Sequence, residues 1–344
     1  MRSRILKITA VLAITLLGLG LRYYAASTLR VDVDEPTYLR AAVNYAAYLR
    51  QGTWKWLIYY NYNSEHPAFY KIVYGAAELV QPPIPSPEKP RIRPTEPIQS
   101  APSRLWILTG RYTSAAFSTL AVLALAAANP LAGLFLAIQT LGIKYTSSFY
   151  LEGLPFLTSL LAALAYQAWF RRINRPGPVP RQTHIWLLLS AGFVGMTAAS
   201  KYVYLVVGLA IAVHYAIHAV KNRFPRQYTG LVAVWLLAAL LSFYVFDPYL
   251  WKHPIENLLH SLTYFVNYTG SRYVVKASYP VYQPLLWLFK SYPDHFPYDR
   301  GSFVVNLDVP LSVLAALGAF WLFKKNSFFF TWLVVALAVL LAWP

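Results

Sequence analysis

Three runs of this chain, 153–170, 202–220 and 227–246, contain no Asp, Glu, Lys or Arg. Each is close to the ~20 apolar residues that a helix needs to cross a bilayer. Backbone groups in lipid must find partners within their own segment, so such runs are helices rather than loops. The chain is 57% hydrophobic and 12% charged, where a soluble domain carries about 25%. The expected fold is all-α and polytopic, a single integral-membrane domain over 1–344, with no soluble domain and no internal repeat. The first apolar stretch has no small-residue cleavage site and reads as a signal anchor.

The net charge of +17 would fit a nucleic-acid binder only if the basic residues formed one soluble patch. They flank the apolar runs instead, where cations orient spans and meet anionic lipid. The chain has no cysteine, which excludes disulfides and thiolate metal sites.

Nine spans are expected, roughly Ile5–Tyr24, Leu105–Ala128, Leu131–Tyr145, Leu154–Phe170, Ile185–Ala199, Tyr202–Val220, Gly230–Phe246, Val309–Phe323 and Phe328–Trp343. The third, fifth and eighth are short, and one of them is a candidate re-entrant segment. Arg2, Arg4 and Lys7 precede the first span and place the amino end inside. The inner turns then hold Arg171, Arg172, Arg175 and Arg181, then Lys221, Arg223 and Arg226, then Lys324 and Lys325. All 13 acids fall in outer segments. Asp34, Glu35, Glu65, His66, Glu152, Lys201 and Asp247 therefore all reach one extracytoplasmic face, which points to a single site there.

Two outer loops are long, 28–104 and 247–308. In the first, Pro36 to Leu49 has helical apolar spacing and is expected to lie in the interface. Pro67 to Val80 reads as another helix, with Pro67 in its first turn. In the second loop, Pro254 to Tyr268 is amphipathic, and the aromatics around it suit an interfacial belt. His214 and His218 lie four apart near the inner end of the sixth span. No carboxylate accompanies them, so they read as an inner-leaflet contact rather than a metal site.

Asp34-Glu35 just beyond span one, with Glu65-His66-Pro67 opening a helix later in that loop, resembles the GT-C membrane glycosyltransferases. The nearer likeness is to the protein O-mannosyltransferase and aminoarabinose-transferase group. Gly110-Arg111-Tyr112, Leu151-Glu152-Gly153, Ser200-Lys201-Tyr202 and Asp247-Pro248-Tyr249-Leu250-Trp251 resemble further segments of that group, in order and on the same face. The resemblance implies a GT-C-like bundle of about nine transmembrane helices with outer-face amphipathic helices. It also implies transfer of a sugar, mannose first, from a polyprenyl (dolichyl) phosphate to an extracytoplasmic protein, glycan or lipid acceptor. The family usually has eleven to thirteen spans, so a partner subunit is an open expectation.

Such transfer needs a base for the acceptor hydroxyl and cations for the departing phosphate. The resemblance implies Asp34 as base, with inversion at the anomeric carbon; the plainer reading of Asp34 is the N-cap of the helix that follows. Glu35 either orients Asp34 or complements that helix's dipole. His66, Lys71, Arg111, Lys201 and Arg272 are the donor-phosphate candidates, with Lys276 beside Arg272. Arg111 lies close to the start of its span, so deep burial is not expected; it either meets the phosphate or pairs with Glu152. Glu65 and Glu152 are candidates for a polar site or a divalent cation, and capping or pairing is the plainer reading. For Lys201 that reading is snorkelling to the interface. Asp247 is an acceptor-side candidate. Two other classes stay open: an ion- or proton-coupled transporter built on Glu152 and Lys201, and a non-catalytic lipid-binding subunit of a glycosylation complex.

Overall fold

The computed structural model describes residues 2–83, 96–101, 103–178, 180–222, 226–277, 279–289 and 307–342. Among these residues there are only helices and the turns that join them. Five helices are long and apolar enough to cross a membrane: Arg4–Thr28, Arg104–Ala128, Gly153–Ile173, Arg181–Ser200 and Tyr202–Lys221. Gly230–Phe246 and Ser327–Ala342 are shorter apolar helices. The fold is all-α and polytopic. It divides into two compact units.

The first unit is Met1–Ser64, Ala68–Leu157 and Trp287–Val313. It holds α1 (Arg2–Thr28), α2 (Glu35–Arg50), a single turn α3 (Lys55–Tyr59), α4 (Phe69–Ala77), α5 (Arg104–Ala128), α6 (Pro130–Ile138) and α7 (Thr140–Ser147). α1 lies along α5 and α6, and α2 lies on α4. α2 matches the apolar spacing read between Pro36 and Leu49: Leu39, Ala42 and Ala46 are buried on one stripe. Its moment serves a protein core here, where Val31, Leu39, Tyr70, Tyr74, Phe149 and Leu151 pack together. Gly110 on α5 makes this packing possible. A Cβ there would sit 2.4 Å from the Phe149 ring.

The expected third span, Leu131–Tyr145, is not one helix. It breaks at Gln139, which is extended at φ −68° and ψ 117°. Each half starts at its own cap. The Asn129 side chain accepts from Leu131 N and Ala132 N, with Pro130 at the first helical position; the Gln139 side chain accepts from Gly142 N at 3.1 Å. Charged groups replace the interrupted ladder. Arg22 of α1 is wholly buried and donates to Leu136 O and Ala137 O, both at 3.2 Å. Asp308 accepts from Thr140 N at 2.7 Å and Leu141 N at 3.0 Å. Non-helical backbone inside an apolar protein survives only where its polar groups are met this way.

The helix expected from Pro67 begins two residues later, at Phe69, and closes in a 3-10 turn over Glu78–Val80. The chain ahead of it is held in a turn through Asn63, whose φ is +63°.

The second unit is Glu65–Pro67, Thr158–Leu286 and Leu314–Pro344. It holds most of α8 (Gly153–Ile173), then α9 (Ile185–Ser200), α10 (Val206–Asn222), α11 (Arg226–Phe246), α12 (Pro254–Thr269), α13 (Arg272–Ala277), part of α14 (Gln283–Phe289) and of α15 (Asp308–Lys325), and α16 (Ser327–Ala342). α9 packs on α11, and α10 on α16. The core gathers Tyr166, Trp169, Leu187, Trp235 and Phe328. α12 matches the expected amphipathic stretch. His214 bonds Tyr166 Oη through Nδ1 at 2.9 Å and Ser327 Oγ through Nε2 at 3.0 Å. Its ring is thus held by protein on both sides, not facing lipid as expected.

Candidate active site

In the first unit the acidic turn is built around a buried ion pair. Glu35 opens α2 and Arg111 lies two turns into α5, and neither side chain is exposed. Arg111 donates to Glu35 through Nε at 2.8 Å and Nη2 at 2.7 Å. Its other N–H groups go to carbonyls at the end of α1: Ala26 and Leu29 from Nη1, at 2.9 and 2.7 Å, and Arg30 from Nη2, at 2.9 Å. These five bonds account for all five guanidinium donors. The Glu35 carboxylate also accepts from Asp32 N at 2.8 Å and Phe149 N at 2.5 Å. The expectation that Arg111 meets a phosphate or pairs with Glu152 is corrected here. Its partner is Glu35, and its burial is complete because carbonyls at a helix end supply the acceptors that solvent would otherwise give.

Asp34 stands at the N-cap of α2 and is exposed. Its carbonyl receives Thr37 N at 3.0 Å and Tyr38 N at 3.2 Å, but its side chain makes no capping bond. The plainer reading of this residue as a side-chain cap therefore fails. Beside it lies a group that the sequence reading passed over. Asp32 accepts from the Tyr150 hydroxyl at 2.7 Å and lies 3.1 Å from Lys144 Nζ. Burial first, then the charges of Asp32 and Asp34, push the Tyr150 hydroxyl far above the ordinary tyrosine range. One signal in the sequence pointed to Lys144: it is the only Asp, Glu, Lys or Arg between Arg111 and Glu152. A lone cation in so apolar a run needs an anion.

Lys71 is buried. Its ammonium donates to Asn61 Oδ1 at 2.6 Å, Tyr62 O at 2.7 Å and Asn63 O at 2.7 Å, so its three donors hold the turn before α4. Glu152 is half-buried just before α8, within electrostatic reach of Tyr70 and Tyr74. Burial raises the Tyr70 hydroxyl to about 12. Tyr74 stacks on Tyr70 at 4.4 Å and donates to the Tyr150 carbonyl.

The second unit collects other candidates. His66 packs on Phe265 of α12 at 5.8 Å between ring centroids, and Phe265 meets Tyr202 at 6.5 Å. Tyr202 follows half-buried Lys201, which breaks from α9 in an extended conformation. Buried Asp247 and Ser261 face the Tyr202 hydroxyl. Glu65 is half-buried beside His66, and Arg272 is exposed at the start of α13. Asp247 makes no side-chain cap for the 3-10 turn that follows it. Among the described residues, no three His, Asp or Glu side chains are gathered as a metal would need.

No family model matches the chain, and neither does any curated protein sequence. The fold is similar to a structure of the yeast (S. cerevisiae) protein O-mannosyltransferase Pmt1–Pmt2 complex bound to the sugar donor. The TM-score is 0.53 at 14% identity, over 70% of this chain and 33% of that one. The present chain thus spans about a third of that protein's length. The likeness defines a GT-C-like membrane fold.

Proposed function

We propose that this protein is a membrane glycosyltransferase that takes a sugar from a polyprenyl-phosphate donor, with mannose as the first candidate. Asp34 is the base. It accepts the proton of an acceptor hydroxyl while that oxygen bonds to the anomeric carbon. The bond from that carbon to the donor phosphate oxygen breaks, and the configuration inverts. The polyprenyl phosphate leaves with the electron pair. The observation that carries this reading is the exposed Asp34 carboxylate, unused as a cap, on a turn fixed from beneath by Glu35 and Arg111. A base held on a rigid turn is positioned for proton transfer at little entropic cost.

Glu35, Arg111 and Lys71 are assigned to the scaffold, because their polar atoms are occupied by buried partners. His66, Lys201 and Arg272 keep the donor-phosphate role, and Asp247 the acceptor-side role. The reaction is placed at the extracytoplasmic face, following the arrangement of basic inner turns. The likeness to a donor-bound protein O-mannosyltransferase supports the class, and a partner subunit belongs to the same reading.

The test is release of sugar from a panel of radiolabelled polyprenyl-phosphate sugars by purified protein, beside Asp34→Asn. A fall of about 100-fold or more in the variant, the scale of lost general-base catalysis, supports the assignment. Equal release by both sinks it.

A further inference from the structure

We propose that Asp32 and Lys144 are positioning residues that set the charge state of Asp34. Lys144 cancels the Asp32 charge, so that Asp34 ionises as though it were the turn's lone carboxylate. This rests on the reading of Asp34 as the base for its consequence, but not for its geometry.

Three observations carry it. Asp32 and Asp34 are two residues apart on one tight turn, closed by Glu35 N on Asp32 O at 3.3 Å. Both carboxylates act electrostatically on the Tyr150 hydroxyl, and like charges within reach of one group oppose ionisation. Lys144 comes from α7, far along the chain, and lies 3.1 Å from the Asp32 oxygen that does not bond Tyr150. Both members of the pair are buried, at 7% and 2% exposure, while Asp34 is exposed. The pair is therefore screened little by solvent, and removing one charge leaves the other acting on Asp34 through protein.

The other charged or titratable groups around this turn come from several elements. Arg30 and Glu35 lie on the same segment, Tyr38 and Arg40 on α2, and Tyr74 on α4. Glu96 lies on the strip whose carbonyl receives Val31 N. Arg111 comes from α5, Tyr145 from α7 and Tyr150 from just beyond it. Glu35 and Arg111 offset each other within one contact, and the tyrosines are neutral at ordinary pH. The Asp32–Lys144 pair is the element whose two halves can be removed separately with opposite effect.

The experiment follows carboxyl labelling of Asp34 across pH, using a water-soluble carbodiimide with an amine and peptide mass spectrometry as readout. The acid gives its proton to a carbodiimide nitrogen and its oxygen bonds to the carbodiimide carbon, after which the amine displaces the urea. At fixed reagent activity, labelling therefore tracks protonation of the carboxyl in the full-length protein without requiring turnover. Lys144→Met should move the midpoint up, and Asp32→Asn should move it down, each by about half a pH unit or more for a charge at this range. Asp32→Asn combined with Lys144→Met should return it towards the wild-type value. Unmoved midpoints, or two single variants moving the same way, overturn the proposal. Should Lys144→Met fail to fold, Asp32→Asn still decides by the sign of its shift. Sugar release by Asp34→Asn separately decides whether Asp34 is the base, so either idea can fall without the other. If both hold, the acid limb of the transfer rate moves with the labelling midpoint in each variant.

Discussion

Glu35 and Arg111 are 76 residues apart in sequence and joined by two hydrogen bonds, of 2.8 and 2.7 Å. No solvent reaches either side chain. One contact thus fastens the start of α2, the end of α1 and the first two turns of α5.

Breaking this pair from one side should be severe. Arg111→Met leaves a buried carboxylate and three carbonyls without their donor, at a cost of about 3–5 kcal/mol. Arg111→Lys rescues little, since three donors on a point charge replace five on a fork. Thermal unfolding in detergent checks both; a melting temperature unchanged in Arg111→Met would refute the ion-pair account.

Lys71 and Asn63 should act as parts of one turn. Lys71→Met takes the ammonium from three acceptors, of which Asn61 Oδ1 keeps the Tyr45 hydroxyl at 3.4 Å, and should cost about 1–3 kcal/mol, with faster amide exchange in peptides covering 60–64. Asn63→Val forces a β-branched residue into left-handed backbone, a strain of about 1–2 kcal/mol, whereas Asn63→Gly should be tolerated. Equal stability of the Val and Gly variants would count against this account.

The broken helix is expected to depend on the two charges at Gln139. Asp308→Ala removes the cap from Thr140 N and Leu141 N and should cost about 0.5–2 kcal/mol. Arg22→Met uncovers the buried Ala137 carbonyl and the part-buried Leu136 carbonyl of α6 and should cost more. Wild-type proteolysis rates across 136–142 in Arg22→Met would show that these bonds carry little weight.

Glu78 gives a pH signature. It is 2% exposed, and among the described residues neither carboxyl oxygen has a hydrogen-bond partner. Burial raises it from 4.5 to about 8, with Arg50 opposing. The folded protein therefore holds a proton that the unfolded chain has released between these two values. Stability should fall as pH rises from about 4.5 to about 8, then level off. Glu78→Gln should flatten this slope, being more stable than wild type at pH 8 but not at pH 5. Denaturant unfolding at the two pH values decides it, and parallel curves for the two proteins would contradict the burial argument.

Where periodicity and composition carry the signal, sequence and structure agree. α2 runs Glu35–Arg50 where Pro36 to Leu49 is expected, and α12 runs Pro254–Thr269 where Pro254 to Tyr268 is expected. The break at Gln139 was not legible, because Gln is a good helix former and the groups that stabilise the break, Arg22 and Asp308, come from the two ends of the chain. Arg111 was misplaced for a similar reason. Its depth depends on carbonyls of α1 that no residue pattern announces. Asp34 stands out by motif alone; Lys144 is marked in the sequence only as a lone cation in an apolar run, and its pairing with Asp32 becomes visible once α7 lies against the turn.

Phe149 donates its amide to Glu35 from 114 residues further along the chain. During synthesis at about 5–20 residues per second, the acidic turn waits on the order of ten seconds for its last ligand. Until then Glu35 and Arg111 enter the membrane environment with their contact incomplete. A nascent chain cut between α5 and α7 carries Asp34, Glu35 and Arg111 but lacks the Lys144 ammonium and the Phe149 amide that complete the turn, so truncated products should be inert and prime targets for membrane quality control.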